Sequence, residues 1–170
     1  GIFDGQGHVV RGLEVQAKPT SNTNVTMTSL FGTLYTTGII RNVFFTEAKV
    51  TAEAAFLTPA GNGTIQNVYV QYDSVGLNPW NAWDVWAKAS AGRHYSGTCF
   101  TWNGMNSVGS SAKIENLVVD ARNAQTEEKL ISGNHSVYLV SYPSRLLTVN
   151  AIALTDDEDI LSRTTALYRG

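Results

Sequence analysis

A short apolar segment with a central asparagine recurs along the chain, and this repeat constrains the fold more than any other feature. The segments IRNVFF at 40–45, IQNVYV at 65–70 and IENLVV at 114–119 match one another, and the first two begin 25 residues apart. Looser copies are VRGLEV at 10–15 and VNAIAL at 149–154. Repeats of this length are typical of solenoids, in which each unit buries its apolar face against its neighbours.

A second row of apolar pairs precedes the row that contains the asparagine. Its members are Leu30-Phe31, Ala55-Phe56, Cys99-Phe100 and Tyr138-Leu139. The spacing from the second member of each pair to the next repeat is 9, 9, 14 and 10 residues, so two rows hold phase over four units. Within the repeat, apolar side chains alternate with period two, as at Val43 and Phe45, which indicates strands. The two rows predict a parallel β-helix in which each coil stacks on the next.

The repeated asparagine is predicted to turn a corner of each coil. Asn42, Asn67 and Asn116 lie among inward-facing apolar residues, and Asn adopts the left-handed backbone conformation more readily than most residues. Stacked Asn side chains can also hydrogen-bond from coil to coil. Gly12 is aligned at the same place and adopts this conformation freely, so we expect it in the same turn ladder. Ala151 suits the position poorly, which predicts a distorted last coil.

Three motifs resemble the GLUG-type repeats of bacterial surface β-helix proteins, namely FDGQGH at 3–8, SLFG at 29–32 and GIIRNV at 38–43. These proteins are similar to filamentous-haemagglutinin and pectate-lyase-like β-helices. The resemblance covers residues 1–75 closely and 98–154 loosely. It implies a right-handed parallel β-helix, a solenoid, that is extracellular or lies at a cell surface. Its functional implication is broad, since the group includes adhesins, wall-anchored proteins and phage spikes.

One domain is predicted, with β-helix coils over 1–154, an aromatic-rich insertion over 76–97 and a C-terminal cap or connector over 155–170. Thr155 precedes four acidic residues and is a candidate N-cap for a short helix. Gly1 leads directly into coil sequence without a polar capping element. We therefore expect the N-terminal coil edge to be covered by further chain, a partner or another copy, unless the sequence is a trimmed fragment.

Composition and charge remove several function classes. The 170 residues carry a net charge of −2, so the chain is expected to lack the basic face that nucleic acid requires. The sequence has no apolar run long enough to span a membrane, which argues against membrane insertion. The single cysteine, Cys99, excludes an intramolecular disulfide, and it aligns with predicted core positions.

The insertion carries the strongest candidate binding surface. Three of the four tryptophans fall within residues 80–86, and aromatic faces can stack on sugar rings while polar neighbours add contacts. A glycan or protein ligand would contact Trp80, Trp83, Asp84, Trp86, His94, Tyr95 and Trp102. The alternative, which tryptophans at three-residue spacing favour, is that these side chains pack on the outer wall as a small satellite core.

A second candidate is an outward-facing stripe. If the residues on either side of Phe44 face the core, Phe44 faces out, and so does Tyr69 in the next coil. The same row would continue through Glu14, Val118 and Ala153. Together with Val9 and Val10 at the N-terminal edge, Phe44 and Tyr69 form a candidate interface for self-association or for a larger parent chain. The favoured alternative is that the tryptophan insertion covers Phe44 and Tyr69.

Catalysis and metal binding have little support in the sequence. The acidic residues are scattered and none recurs as a ladder, whereas glycosidases need paired carboxylates. Asp4 lies in a turn motif, where Asp commonly caps its own backbone. The three histidines are isolated, so we predict no catalytic residue, no metal site and no cofactor. We rank an adhesin-like or glycan-binding module first, a structural subunit assembling through open coil ends second, and a polysaccharide lyase or glycosidase third.

Overall fold

The computed structural model describes residues 1–17, 28–51, 54–58, 63–77, 94–100, 113–126, 135–141, 148–158, 160 and 168–169. The strands are β1 (Ile2–Asp4), β2 (Val9–Arg11), β3 (Glu14–Val15), β4 (Thr28–Ser29), β5 (Ile39–Thr51), β6 (Ala54–Thr58), β7 (Thr64–Leu77), β8 (His94–Phe100), β9 (Lys113–Asp120), β10 (His135–Ser141), β11 (Thr148–Leu154) and β12 (Tyr168–Arg169). Within these residues, helical backbone is confined to Glu158 and Ile160. The predicted all-β class is therefore confirmed.

The strands form two parallel sheets. The larger sheet has the order β1-β5-β7-β9-β11-β12, and β2 and β3 also pair with β5. The smaller sheet has the order β10-β8-β6-β4. From β4 to β11 the chain passes alternately through the smaller and the larger sheet. Parallel neighbours need a connection that leaves the sheet and returns, and from β4 to β11 a strand of the opposite sheet belongs to each such connection.

The three close copies of the repeat pair with one another in the larger sheet. Ile40 pairs with Ile65 and Ile65 with Ile114, so the repeat alignment is also the strand register. Between the corners, successive side chains face opposite sides of the sheet, and the set that faces inward is buried. Val43 and Phe45 are examples of this inward set.

Aromatic side chains join the two sheets in the core. The ring of Phe45, in β5, meets the ring of Phe56, in β6, with centroids 5.2 Å apart and nearly perpendicular planes. Phe56 makes a similar edge contact with Tyr72 of β7 at 5.6 Å. The buried Tyr72 hydroxyl lies 2.7 Å from Thr98 Oγ1, and burial raises the pKa of the phenol. These edge-to-face contacts fix the larger sheet against the smaller one.

The loose copy of the repeat at residues 10–15 is shifted from its predicted alignment. Phe3, rather than Val10, pairs with Ile40. Val10 pairs with Phe45, five residues farther along β5. The cause is that the apolar pair Ile2-Phe3 of β1 already pairs with Ile39 and Ile40, the place that the sequence alignment assigned to Val10.

Gly12 consequently lies outside the asparagine ladder, and that prediction was wrong. The Gly12 N–H donates to the Thr46 oxygen at 2.9 Å, which places Gly12 beside the next corner of β5. Its φ of 68° matches the positive φ of 54° at Glu47 in that corner. Gly12 therefore does turn a corner in the left-handed conformation, but a different one.

The second apolar row is also shifted in the smaller sheet. Ala55 pairs with Ser29 rather than with Leu30. Cys99 pairs with Thr58 rather than with Ala55, because the register between β6 and β8 shifts along the pair. Cys99 is nevertheless fully buried.

The last copy of the repeat is irregular. Val149 pairs with Ile114, but Ala151 pairs with Leu117, so β11 passes the corner with one residue fewer than β9. Asn150, rather than Ala151, is the residue at this corner.

The helix cap that the sequence assigned to Thr155 belongs to Asp157. The N–H of Ile160 donates to Asp157 Oδ1 at 3.0 Å.

Candidate functional site

A ladder of side-chain hydrogen bonds crosses the larger sheet at the asparagine corner. Asn150 Nδ2 donates to Asn116 Oδ1 at 3.1 Å, and Asn116 Nδ2 donates to Asn67 Oδ1 at 2.9 Å. Asn67 Nδ2 in turn donates to Asn42 Oδ1 at 3.0 Å. The backbone φ values of Asn42, Asn67 and Asn116 are 52°, 52° and 56°, the left-handed conformation that Asn tolerates. Every amide donates towards β1, so the ladder has one direction.

Asp4 closes the ladder at the end next to β1. Its Oδ1 accepts from Asn42 Nδ2 at 3.2 Å and from the Gln6 N–H at 3.0 Å, and its Oδ2 accepts from Arg41 Nε at 2.8 Å. The hydrogen bond from the Gln6 backbone and those from Asn42 and Arg41 hold the pKa of Asp4 below its ordinary value. The bond from Gln6 is the backbone cap that the turn motif predicts.

The role of Asp4 and Asn150 as the two ends of the ladder was not recognised from the sequence. Asn150 is one position from the aligned column, and Asp4 belongs to a segment that does not align with the repeat. The available signal was chemical, since an Asp and an Asn can each accept a hydrogen bond from an Asn amide.

A second feature is the edge formed by β1, β2, β3 and β4, which we call the first-layer edge. Within the described residues, β1, β2 and β3 pair only with β5, and β4 pairs only with β6. Phe3 lies on the same face as its partner Ile40, yet Phe3 is 40% exposed and Ile40 is 1% exposed. Ile2 and Val9 on this edge are 61% and 55% exposed. The edge thus presents both unpaired strand backbone and apolar side chains.

The ring of Phe3 is partly sheltered within the first layer itself. It meets the ring of Phe31, the second residue after β4, with centroids 4.9 Å apart. Since Phe3 belongs to the larger sheet and Phe31 follows the smaller one, this pair links the two sheets at the first-layer edge. Phe31 packs against the buried core, and so does the half-buried Val10. The predicted interface residue Val10 therefore faces inward, whereas Val9 faces outward.

The outward stripe exists, but its composition differs from the prediction. Phe44 pairs with Tyr69 and their rings lie 6.2 Å apart, with Phe44 45% exposed. The row in register with them comprises Val9, Val118 and Ile152. Glu14 pairs with Lys49 instead, and Ala153 is fully buried, so neither belongs to the stripe. The errors follow from the register shifts of the first and last repeats.

A polar cleft of about 470 Å³ lies beside the carboxyl-terminal half of β5 and β7. Its lining includes Glu14, Lys49, Asp73, Ser74, Asn123 and Gln125. One wall is fixed by backbone hydrogen bonds, because the Gln125 N–H donates to the Asp73 oxygen at 2.8 Å and the Val75 N–H donates to the Gln125 oxygen at 3.0 Å. The cleft is therefore lined by carboxylate, ammonium, hydroxyl and amide side chains.

The described structure covers only the backbone of two of the predicted ligand-binding residues, so their grouping stays a prediction. Trp80, Trp83, Asp84, Trp86 and Trp102 lie outside the described residues. The backbones of His94 and Tyr95 begin β8 and pair in parallel with His135 and Ser136 of β10. The predicted insertion at 76–97 overlaps strand at both ends, since β7 continues to Leu77 and β8 begins at His94.

Neither a metal centre nor a membrane helix is found in the described part of the chain. No three His, Cys, Asp or Glu side chains there are grouped so that they could hold an ion. No helix there has the length and apolarity needed to cross a bilayer. Comparison of the chain with protein-family models, with curated proteins and with solved structures gives no match.

Proposed function

We propose that the chain is a right-handed parallel β-helix module, extracellular or at a cell surface, that binds a partner polypeptide without catalysis. The partner adds a parallel strand to the first-layer edge. This is β-strand addition, in which backbone hydrogen bonds supply affinity and side chains supply specificity. The proposal joins the predicted fold, the expected interface at Val9 and Val10 and the resemblance to bacterial surface proteins.

The order of the strands supports the β-helix. The chain alternates between two parallel sheets from β4 to β11, and strands that are adjacent within a sheet are separated by one strand of the other sheet. The 25-residue offset between Ile40 and Ile65 is both the sequence period and the strand register. A repeat that stacks only on its neighbours is the defining arrangement of a solenoid. The right hand follows the strong preference of parallel crossover connections.

The exposure of the first-layer edge carries the functional proposal. Phe3 and Val10 lie on the inward face of their strands, yet they are far more exposed than the residues with which they pair. Apolar side chains on the core face of a parallel sheet are normally covered on both sides. A further strand at this edge would cover Phe3 and Val10 and would also pair the outward-directed backbone groups of β1 and β2.

The experiment uses a synthetic peptide with the sequence of Ile39–Phe45, IIRNVFF, which is the segment of β5 that pairs with β1 and β2. The peptide carries a polar tail for solubility and a fluorophore, and binding is followed by anisotropy. We expect saturable binding to the chain and none by a scrambled peptide. Val10→Glu should abolish binding, because it places a charge on the inward face of the edge.

A matched variant separates loss of the site from a general effect of charge. Thr126→Glu adds the same charge at an exposed position that is not on the first-layer edge, and we expect it to bind the peptide as the unaltered chain does. Circular dichroism must show that both variants keep the β-sheet spectrum. Equal binding by Val10→Glu and the unaltered chain would refute strand addition at this edge.

The polar cleft favours a second candidate function, the glycan binding that the tryptophan cluster predicts. Glycans are recognised by polar groups that converge on hydroxyls, and the cleft supplies carboxylates, an ammonium and amides. A glycan-array screen would compare the chain with an Asp73→Ala/Asn123→Ala variant and with a Trp80→Ala/Trp83→Ala/Trp86→Ala variant. Loss in the first variant assigns binding to the cleft, loss in the second assigns it to the tryptophans, and no binding by any chain removes this candidate.

A further inference from the structure

We infer that Asp4 makes the first-layer edge selective for a strand that carries an arginine or lysine opposite Asp4. By the same geometry, the edge disfavours a strand that presents a carboxylate or a carbonyl oxygen there. This inference rests on the proposed strand addition and names the chemistry of the partner.

The direction of the asparagine ladder is the first observation that supports the inference. From Asn150 to Asn42, each Nδ2 donates to the Oδ1 of the residue nearer the first-layer edge. Asn42 Nδ2 then donates to Asp4 Oδ1. An ionised carboxylate has no hydrogen to donate, so the ladder cannot continue past Asp4 in the same direction.

The remaining hydrogen-bonding capacity of Asp4 is the second observation. An ionised carboxylate offers about four acceptor sites. Three donors already use Asp4, namely the Gln6 N–H and Asn42 Nδ2 at Oδ1 and Arg41 Nε at Oδ2. One site at Oδ2 therefore remains for a partner, and a partner group at that place must donate. Guanidinium and ammonium groups donate and also bring the complementary charge.

The position of Asp4 on β1 is the third observation. Asp4 pairs with Arg41 of β5, and the two side chains lie on the outer face of the sheet as an ion pair at 2.8 Å. A strand added to the other side of β1 in the same register places its own residue beside Asp4 in the way that Arg41 lies on the first side. Arg41, the neighbour of Asp4 within the sheet, thus indicates that a basic residue suits the position beside Asp4 on an added strand.

The test measures anisotropy with three peptides, IIRNVFF, IIQNVFF and IIENVFF, which differ only at the residue opposite Asp4. We expect affinity to fall in the order Arg, Gln, Glu, with about a tenfold difference between the Arg and Glu peptides. The Asp4→Asn variant keeps an Oδ1 acceptor for Gln6 and Asn42 but loses the charge. In this variant we expect the preference for Arg over Glu to shrink to about twofold or less.

The outcomes separate this inference from the proposed function. Equal binding of the Arg and Glu peptides to the unaltered chain, with loss in Val10→Glu, would keep strand addition and refute the selectivity. A preference that persists unchanged in Asp4→Asn would assign the selectivity to another group and also refute it. No binding of any of the three peptides would refute strand addition itself.

Discussion

The first layer and the layer formed by β5 place similar residues in very different surroundings. Ile40 and Phe45 in β5 have strands on both sides and are 1% exposed, whereas Phe3 and Val10 pair with them from one side and remain partly exposed. The apolar pattern is the same in both layers, so the pattern selects the face and the neighbouring strand provides the burial. In a parallel stack, a residue needs a partner layer on each side before its hydrophobic contribution is complete.

The largest expected effect comes from removing the same side chain in the two layers. Phe45→Ala removes a fully buried ring that contacts Phe56, and we expect the free energy of unfolding to fall by about 3–5 kcal/mol. Phe3→Ala removes a ring that is 40% exposed, so we expect a loss of about 1–2 kcal/mol. Urea denaturation of both variants measures the difference.

Equal losses of unfolding free energy in Phe45→Ala and Phe3→Ala would contradict the difference in burial between the two layers. That result would mean that Phe3 is covered in solution to the same extent as Phe45. The Val9→Ala variant is the control, because Val9 faces outward on the first-layer edge and is 55% exposed, so it should change stability by less than about 1 kcal/mol.

An intermediate effect is expected within the asparagine ladder. Asn67 donates to one asparagine and accepts from another, and its φ is 52°. Asn67→Ala removes both hydrogen bonds and places Ala in the left-handed conformation, for an expected loss of about 2–3 kcal/mol. Asn67→Gly removes the same hydrogen bonds without the backbone penalty and should lose about 1 kcal/mol less than Ala.

These two variants separate the two jobs that the corner residue performs. A Gly variant as unstable as the Ala variant would show that the ladder hydrogen bonds matter and the backbone conformation does not. A Gly variant as stable as the unaltered chain would show the reverse. Thermal and urea denaturation of the pair give the answer without reference to any ligand.

Sequence reasoning reached the parts of the fold that depend on local pattern. Period two predicted strands, the three close repeats predicted the register between Ile40, Ile65 and Ile114, and Asn42 has the backbone conformation predicted for its corner. The misassignments of Gly12 and Cys99 have a common cause. A shift of register between strands leaves no local trace in a sequence, because the shifted residue keeps its neighbours along the chain and only its partner on the adjacent strand changes.

The candidate site was less accessible from the sequence than the fold. Asp4 was recognised as a residue that caps its own turn, and it does accept the Gln6 N–H. Its role as the end of the ladder depends on Arg41 and Asn42, which are distant in sequence and reach it only through strand pairing. Likewise, the cleft gathers residues from four separate segments, which include Glu14, Lys49, Asp73 and Asn123. The tryptophan surface remains a prediction.

The smallest expected effect concerns two carboxylates, Asp4 in the first layer and Asp120 at the end of β9. Both have a pKa held below the ordinary value of 3.8, Asp4 chiefly by the Gln6 N–H and Asp120 chiefly by hydrogen bonds from Arg122. A lowered folded-state pKa stabilises the fold above the ordinary pKa, and that contribution is lost as pH falls through the folded-state pKa. Stability should therefore decrease below about pH 4.

The variants Asp4→Asn and Asp120→Asn should each flatten this acidic decline. At pH 7 each variant should melt at a temperature about 2 °C or less below the unaltered chain, because both ion pairs are partly exposed and screened. At a pH below both folded-state values the three melting temperatures should converge. Melting followed by circular dichroism from pH 2 to 7 measures the curves. Parallel curves of melting temperature against pH for the unaltered chain and Asp4→Asn would mean that Gln6, Asn42 and Arg41 do not stabilise the Asp4 charge. The end of the ladder would then lack the fixed carboxylate on which selectivity at the first-layer edge depends.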